Sequence, residues 1–272
     1  MSATTTLSPK AIIFDAYGTL FDVHSVVAAA EQIFPGRGDA LSQLWRQKQI
    51  EYTQLRTLAD AGEGAAHYRP FWDITLDALR FSAKKLQLTL GRTAEKRLMD
   101  EYACLSAFPD AVPALRLLRD GVSSSAATSA RPGLAILSNG NPQMLDVAVK
   151  SAGMSGLFDQ VLSVDAVRAY KPAPVAYALG TQAFGVEPRE IVFVSSNGWD
   201  VAGATWFGFT TFWLNRQNAP LEELGVTPHG TGAGMNDLLA FVNTLASAGD
   251  APRPRRATAA SRTRRPRSSG GA

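Results

Sequence analysis

Two aspartates, one lysine and several small hydroxyl and amide side chains share one kind of position in this 272-residue chain, close behind a short apolar run. Asp15 and Thr19 follow "AIIF", Ser138 and Asn139 follow "LAIL", Lys171 lies beyond "QVLSV", and Ser195, Asn197 and Asp200 follow "IVFV". A carboxylate in such a place can attack carbon or phosphorus and form a covalent intermediate. Thr19 and Ser138 can hold its oxygens or a substrate anion. A lysine near Asp15 and Asp200 would keep both carboxylates ionised. One aspartate after one strand is more often a helix cap; four strand ends together argue for a site. The backbone N–H groups from Ser138 to Asn141 open a helix, which favours a bound carboxylate.

The elements that must position these residues are legible in the same runs. Four apolar runs, and a fifth, "TTFWL", before Asn215, are continuous rather than alternating, with helical patterns between them. That pattern fits strands buried on both faces and joined by β-α-β crossovers, so an α/β protein with a parallel sheet flanked by helices is expected. Ligands of such sheets sit at the carboxyl ends of the strands, where the polar residues gather. Asn141-Pro142 puts a capping side chain before a proline at the first position of a helix that closes on Gly153.

More than 110 residues separate the first strand from the second, far more than one crossover needs. Leu41, Leu44, Trp45, Tyr52, Leu55 and Leu58 recur near the helical period, as do Trp72, Leu76, Leu79, Ala83 and Leu86, so the insert reads as a helical cap with apolar stripes in its core. The chain rejoins the core near "FPDAVPALRLL", where Asp110 is placed to cap the next helix. The Ser-, Ala- and Gly-rich stretch from Gly121 to Gly133 reads as a surface loop.

With 46% hydrophobic residues the chain can bury a large core or two modest ones. No run of about 18 apolar residues occurs and "MSATTTLSPK" lacks a secretory pattern, so the expectation is a cytoplasmic protein with no membrane partner. Cys104 is the single cysteine, so no internal disulfide can form, and its helical context predicts a core thiol. His24, His67 and His229 are scattered without ligand spacing, so neither a metal site nor a histidine base is suggested, and no cofactor is expected. The net charge of +3 is uneven: from Pro252 onward the chain holds seven arginines and no acid, and without them 20 basic residues face 24 acidic ones, a net −4. Residues 251–272 therefore read as a disordered Arg-rich tail. Nothing in the body interleaves basic and aromatic residues, so no nucleic-acid partner is expected.

Six stretches, "FDAYGTLFD", "WRQKQIEYTQLR", "FWDITLDALRF", "AILSNGNPQML", "YKPAPVAY" and "VSSNGWDVAGA", stand in an order that strongly resembles the haloacid dehalogenase superfamily, and within it the L-2-haloacid dehalogenases. The likeness spans about Ile12 to Val242. It implies a Rossmann-like catalytic core made of residues 9–22 and 109–247, with a helical cap over 23–108.

Tyr17 says which branch of the superfamily the residues fit. Phosphatases of the superfamily carry a second aspartate two residues after the nucleophile, which protonates a poor alkoxide leaving group, and further acids after the fourth strand that help bind magnesium. Here the first position is Tyr17 and the second is "SSNGWD". Halide leaves without a proton, and a 2-haloacid carries a single charge, so neither substitution impedes carbon-halogen chemistry.

The resemblance implies the remaining roles. Asp15 is the nucleophile on C2 of an L-2-haloacid, with inversion and an ester intermediate. Arg46 and Asn139 receive the halide, and Tyr17, Ile50, Phe71 and Trp199 line the substrate pocket. Water then attacks the ester, with Asp200 the first candidate for its base, Lys171, Ser195 and Asn197 positioning it and Tyr177 in support, and a D-2-hydroxy acid leaves; the identity of the base stays open at this point. A homodimer is implied by the resemblance only. The long loop at Gly121–Gly133, an inserted segment around "DAGEGAAHYRP", the basic tail, and Gly198 where the family commonly has alanine depart from the pattern. Two other readings remain at this point: a metal-dependent phosphatase or phosphonatase of the same superfamily, and a non-catalytic binder of anions or nucleic acid.

Overall fold

The computed structural model describes residues 9–60, 65–120 and 131–249. The Arg-rich tail lies outside the described residues, as do most of the loop expected at Gly121–Gly133 and part of the segment inserted around residues 60–70. Among the described residues no helix is long and apolar enough to cross a membrane.

Among the described residues six strands, β1 (Ala11–Phe14), β2 (Gly133–Ser138), β3 (Gln160–Ser163), β4 (Ile191–Ser195), β5 (Thr210–Leu214) and β6 (Gly230–Gly232), form one sheet in the order β3-β2-β1-β4-β5-β6. Every neighbouring pair is parallel. The five apolar runs are the first five strands. The sixth, Gly-Thr-Gly, carries no apolar signal and rides on the edge of β5.

Alternate residues of the central strands enter different clusters: Ile12, Phe14, Leu134, Ile136, Val192 and Val194 on one face, Ala11, Ile13, Ala135, Leu137, Ile191 and Phe193 on the other. Both faces are dry, which is why these strands read as unbroken apolar runs. The exception is β3, whose Gln160 and Val161 are exposed at the sheet edge.

Between β1 and β2 the chain makes α1 (Val27–Ile33), α2 (Gly38–Ala59), α3 (Phe71–Lys85), α4 (Arg92–Ala103) and α5 (Ala111–Asp120). It leaves and returns side by side: Phe108 N donates to Leu20 O at 3.0 Å and Asp22 N to Ser106 O at 2.8 Å. Leu41, Trp45, Leu79 and Ala83 are buried, but Leu55 and Leu58 are 54% and 72% exposed, so the outer end of the α2 stripe is surface rather than core. Cys104, at the end of α4, is exposed rather than a core thiol.

The remaining helices are α6 (Pro142–Ser151), α7 (Pro174–Phe184), α8 (Gly198–Phe207) and α9 (Met235–Gly249). Two cap expectations change here. Asp110 does not cap α5 with its side chain; its carboxylate takes the first amide of α9, from Met235 at 2.9 Å, and both terminal nitrogens of Arg216. Asn141 does stand at the N-cap of α6, yet its side-chain oxygen accepts from Trp72 N in the first turn of α3 at 3.3 Å, so a core residue caps a helix of the insert.

Candidate active site

Asp15 sits one residue past β1, where its amide still donates to Val194 O at 2.9 Å and continues the β1–β4 ladder. The turn that follows needs a positive φ, which Gly18 supplies at +96°. It brings Thr19 back so that its hydroxyl donates to Asp15 Oδ2 at 2.8 Å. The same Thr19 oxygen accepts from Ser196 N at 2.8 Å, which commits its single proton to Asp15 and ties the loops after β1 and β4 together.

Lys171 Nζ is buried and donates to Asp15 Oδ1 at 2.8 Å, Asp200 Oδ2 at 2.7 Å and Leu137 O at 3.2 Å. Its three protons thus have three oxygens. Burial pulls the ammonium pKa down, but the charges of Asp15 and Asp200 outweigh it and hold the group above its ordinary value. Burial pushes the Asp200 carboxyl above the usual carboxylate range, and Lys171 only partly opposes this. Tyr177, from α7, donates to Asp200 Oδ1 at 2.8 Å. Burial, then the Asp200 charge, keeps that phenol protonated well above its ordinary value. The backbone of Lys171 is held as well, its amide donating to Asn139 Oδ1 at 3.0 Å, so the NH₂ end of Asn139 is the one left for the cavity.

From the insert, Arg46 on α2 reaches down to Tyr17 O at 2.9 Å and Asn197 Oδ1 at 3.2 Å. Asn197 in turn donates to Asp15 Oδ2 at 2.9 Å. The insert's cation and the core's carboxylate therefore share one amide. Asp15, Tyr17, Arg46, Ile50, Phe71, Ser138, Asn139, Asn197 and Trp199 surround a cavity of about 10 Å³, roughly the room one water needs. The Tyr17 ring packs on Phe21, Phe71 and Tyr102 at 5.6–6.0 Å between centroids, and burial holds its phenol well above the usual range. A larger cavity of about 550 Å³ opens alongside and shares Arg46, Ile50, Asn197 and Trp199.

The other expected residues stand behind this wall. Thr19, Lys171, Tyr177, Ser195 and Asp200 do not line the cavity. Ser138 and Ser195 are buried, and each hydroxyl oxygen accepts an amide two residues on, from Gly140 at 3.0 Å and Asn197 at 3.1 Å. Thr53 lines the cavity and was missed; it lies seven residues after Arg46 and three after Ile50, on the same helical face, a spacing that could have found it. No group of three or more His, Cys, Asp or Glu fit to hold a metal occurs among the described residues. The place between Asp15 and Asp200 is taken by the Lys171 ammonium.

A family model described as haloacid dehalogenase-like hydrolase matches residues 9–208. The chain is 47% identical over 220 residues to the (S)-2-haloacid dehalogenase of Pseudomonas sp. (strain YL), covering 80% of this chain and 88% of the relative. It is 44% identical to haloacetate dehalogenase H-2 of Moraxella sp. (strain B), covering 82% and 92%. Among solved structures, an L-2-haloacid dehalogenase is 62% identical with a TM-score of 0.81, over 87% of this chain and 99% of that one. The L-2-haloacid dehalogenase of Xanthobacter autotrophicus with chloropropionic acid covalently bound is 38% identical with a TM-score of 0.75, over 86% and 98%.

Proposed function

The chain belongs to the haloacid dehalogenase-like hydrolases, and from that membership and its site we infer that it hydrolyses short-chain L-2-haloalkanoic acids to D-2-hydroxy acids. It is an (S)-2-haloacid dehalogenase. The observation that carries this reading is the setting of Asp15: three donors, Lys171 Nζ, Thr19 Oγ1 and Asn197 Nδ2, fix its two oxygens within 2.9 Å, while Tyr17 stands where a phosphatase needs an acid.

In the first step an oxygen of Asp15 attacks C2 from the side opposite the halogen. The new C–O bond forms as the carbon-halogen pair departs with the halide, so C2 inverts and an aspartyl ester results. A carboxylate already held in place avoids much of the entropy cost of bringing two reactants together, a gain of several orders of magnitude when the approach is in line. Arg46 and the Asn139 amide face the cavity and stabilise the departing charge. Tyr17, Ile50, Phe71 and Trp199 enclose the substrate's side chain.

In the second step water adds to the ester carbonyl of Asp15. We assign the base to Asp200: its raised pKa makes its carboxylate a better proton acceptor than an ordinary aspartate, and because it stands behind the cavity wall on Lys171, the attacking water has to enter between it and Asp15. Lys171, Ser195 and Asn197 hold the water's surroundings, and Tyr177 holds Asp200. The acyl C–O bond breaks, the alkoxide takes a proton, and the Asp15 carboxylate returns with the D-2-hydroxy acid free. The covalent chloropropionic acid in the Xanthobacter relative is in keeping with an ester on the nucleophile.

A homodimer is part of the same reading; the exposed Leu55 and Leu58 of α2 and Phe81 of α3 supply an apolar face, and light scattering tests it. So is a cytoplasmic location, where a single cysteine is no handicap. The decisive measurement is chloride release from separate L- and D-2-chloropropionate with EDTA present. Release from the L form alone is expected. Equal turnover of both, or dependence on added magnesium, overturns the reading.

A further inference from the structure

We propose that Gln49 is a positioning residue that aims Arg46 at the departing halide and couples it to Phe71, the wall of the substrate pocket. The proposal rests on the reading of Arg46 given above.

Arg46 and Gln49 stand three residues apart on α2, on one helical face. Arg46 Nη1 donates to Gln49 Oε1 at 2.8 Å, while its Nη2 is spent on Tyr17 O and Asn197 Oδ1. Gln49 is fully buried and its amide has no freedom to turn. Its oxygen also accepts from Tyr102 of α4 at 3.0 Å, and its nitrogen donates to Thr75 Oγ1 of α3 at 2.6 Å. Thr75 gives its only proton to Phe71 O at 2.7 Å, so toward Gln49 it can only accept. That fixes the amide's sense: NH₂ toward Thr75, oxygen toward Arg46 and Tyr102. Three helices of the insert converge on one side chain, and each of its polar atoms has one possible partner set.

The consequence is specific to the leaving group. A guanidinium that loses its Nη1 acceptor is held at one edge only and can swing from the line of the breaking bond. Chloride, the poorer leaving group, depends on that stabilisation more than bromide does. Gln49 touches neither substrate nor halide; it acts through Arg46.

The test compares kcat/KM for L-2-chloropropionate and L-2-bromopropionate, a ratio that reports steps through carbon-halogen cleavage, in Gln49→Met, Tyr102→Phe and Arg46→Lys, with thermal melting of each. For Gln49→Met we expect the chloride reaction to fall by about tenfold, the scale of one well-placed hydrogen bond, and the bromide reaction by clearly less. Tyr102→Phe, which keeps the ring and removes one donor to Gln49, should show a smaller loss of the same sense, and it carries the test if Gln49→Met does not fold. Equal losses for the two halides in both variants, or no loss, overturn the proposal. If Arg46→Lys itself fails to hurt chloride more than bromide, the reading of Arg46 falls and this proposal with it. If Arg46→Lys discriminates and the other two do not, only the positioning role is lost.

Discussion

The ammonium of Lys171 lies 2.7 Å from Asp200 and 2.8 Å from Asp15, so one buried cation holds the two carboxylates of the site in register. Replacing it by methionine leaves two like charges facing each other without water. Removing one partner of a buried ion pair costs about 3–5 kcal/mol, and Lys171→Met is expected to lose that much in urea unfolding together with nearly all halide release. Lys171→Arg should not rescue it, because a planar guanidinium cannot direct short bonds to three divergent oxygens. A Lys171→Met protein as stable as the parent would show that the pair is not held as described.

Asp200 should be needed for the second step and not for the first. The Asp200→Asn variant, offered L-2-chloropropionate, is expected to release a single burst of chloride and then stop, with Asp15 carrying the carboxyethyl ester. Intact-protein mass spectrometry followed by peptide mapping checks it. Continued turnover in this variant would assign the base elsewhere.

The pH profile follows from the same residue. Burial raises the Asp200 pKa, so on the acid side kcat should decline at a pH above the ordinary carboxylate range. Tyr177 donates to the charged form of Asp200 and so lowers this pKa. Removing the hydroxyl in Tyr177→Phe therefore moves the acid limb to higher pH. A limb that stays put, or moves the other way, contradicts the assignment; the measurement is kcat against pH for both proteins.

How far the chain could be read in advance differs from residue to residue. β1, β2, β4 and β5 declare themselves because each is dry on both faces, while β6 has only Gly230, Thr231 and Gly232 and is held by its place beside β5. Asp15, Thr19 and Asp200 were legible because strand ends bring them together, whereas Lys171 joins them through the loop beyond β3, whose backbone Asn139 holds. Arg46 and Phe71 were not: their helical context is that of any amphipathic helix, and only resemblance singled them out. Leu58 shows the reverse failure, a residue on the helical period that the fold leaves in water. Thr53 was missed although it shares the helical face of Arg46 and Ile50, whereas Gln49 was missed because spacing along one helix says nothing about which helices lie opposite. Asp110 was legible as a cap, yet the helix it serves begins 125 residues later.

Gly203 offers a test in which two rules oppose. In a helix interior, Gly→Ala is worth roughly 1 kcal/mol of added stability by propensity alone. A Cβ at Gly203 would stand 2.5 Å from the Tyr177 hydroxyl and 2.6 Å from Pro172 Cβ, both packed beside the Lys171–Asp200 pair. Neither atom is the free end of a flexible chain, and overpacking of this kind costs about 1–3 kcal/mol, so the clash outweighs the propensity. Gly203→Ala is therefore expected to be no more stable than the parent and to lose activity as Tyr177 is pushed from Asp200. The double variant Gly203→Ala/Tyr177→Phe removes the oxygen that Cβ meets and should recover part of the stability, though not the activity. Melting temperatures of the two proteins and their chloride release decide it. A Gly203→Ala variant with higher stability and full activity would mean that Tyr177 yields to the methyl group without disturbing Asp200.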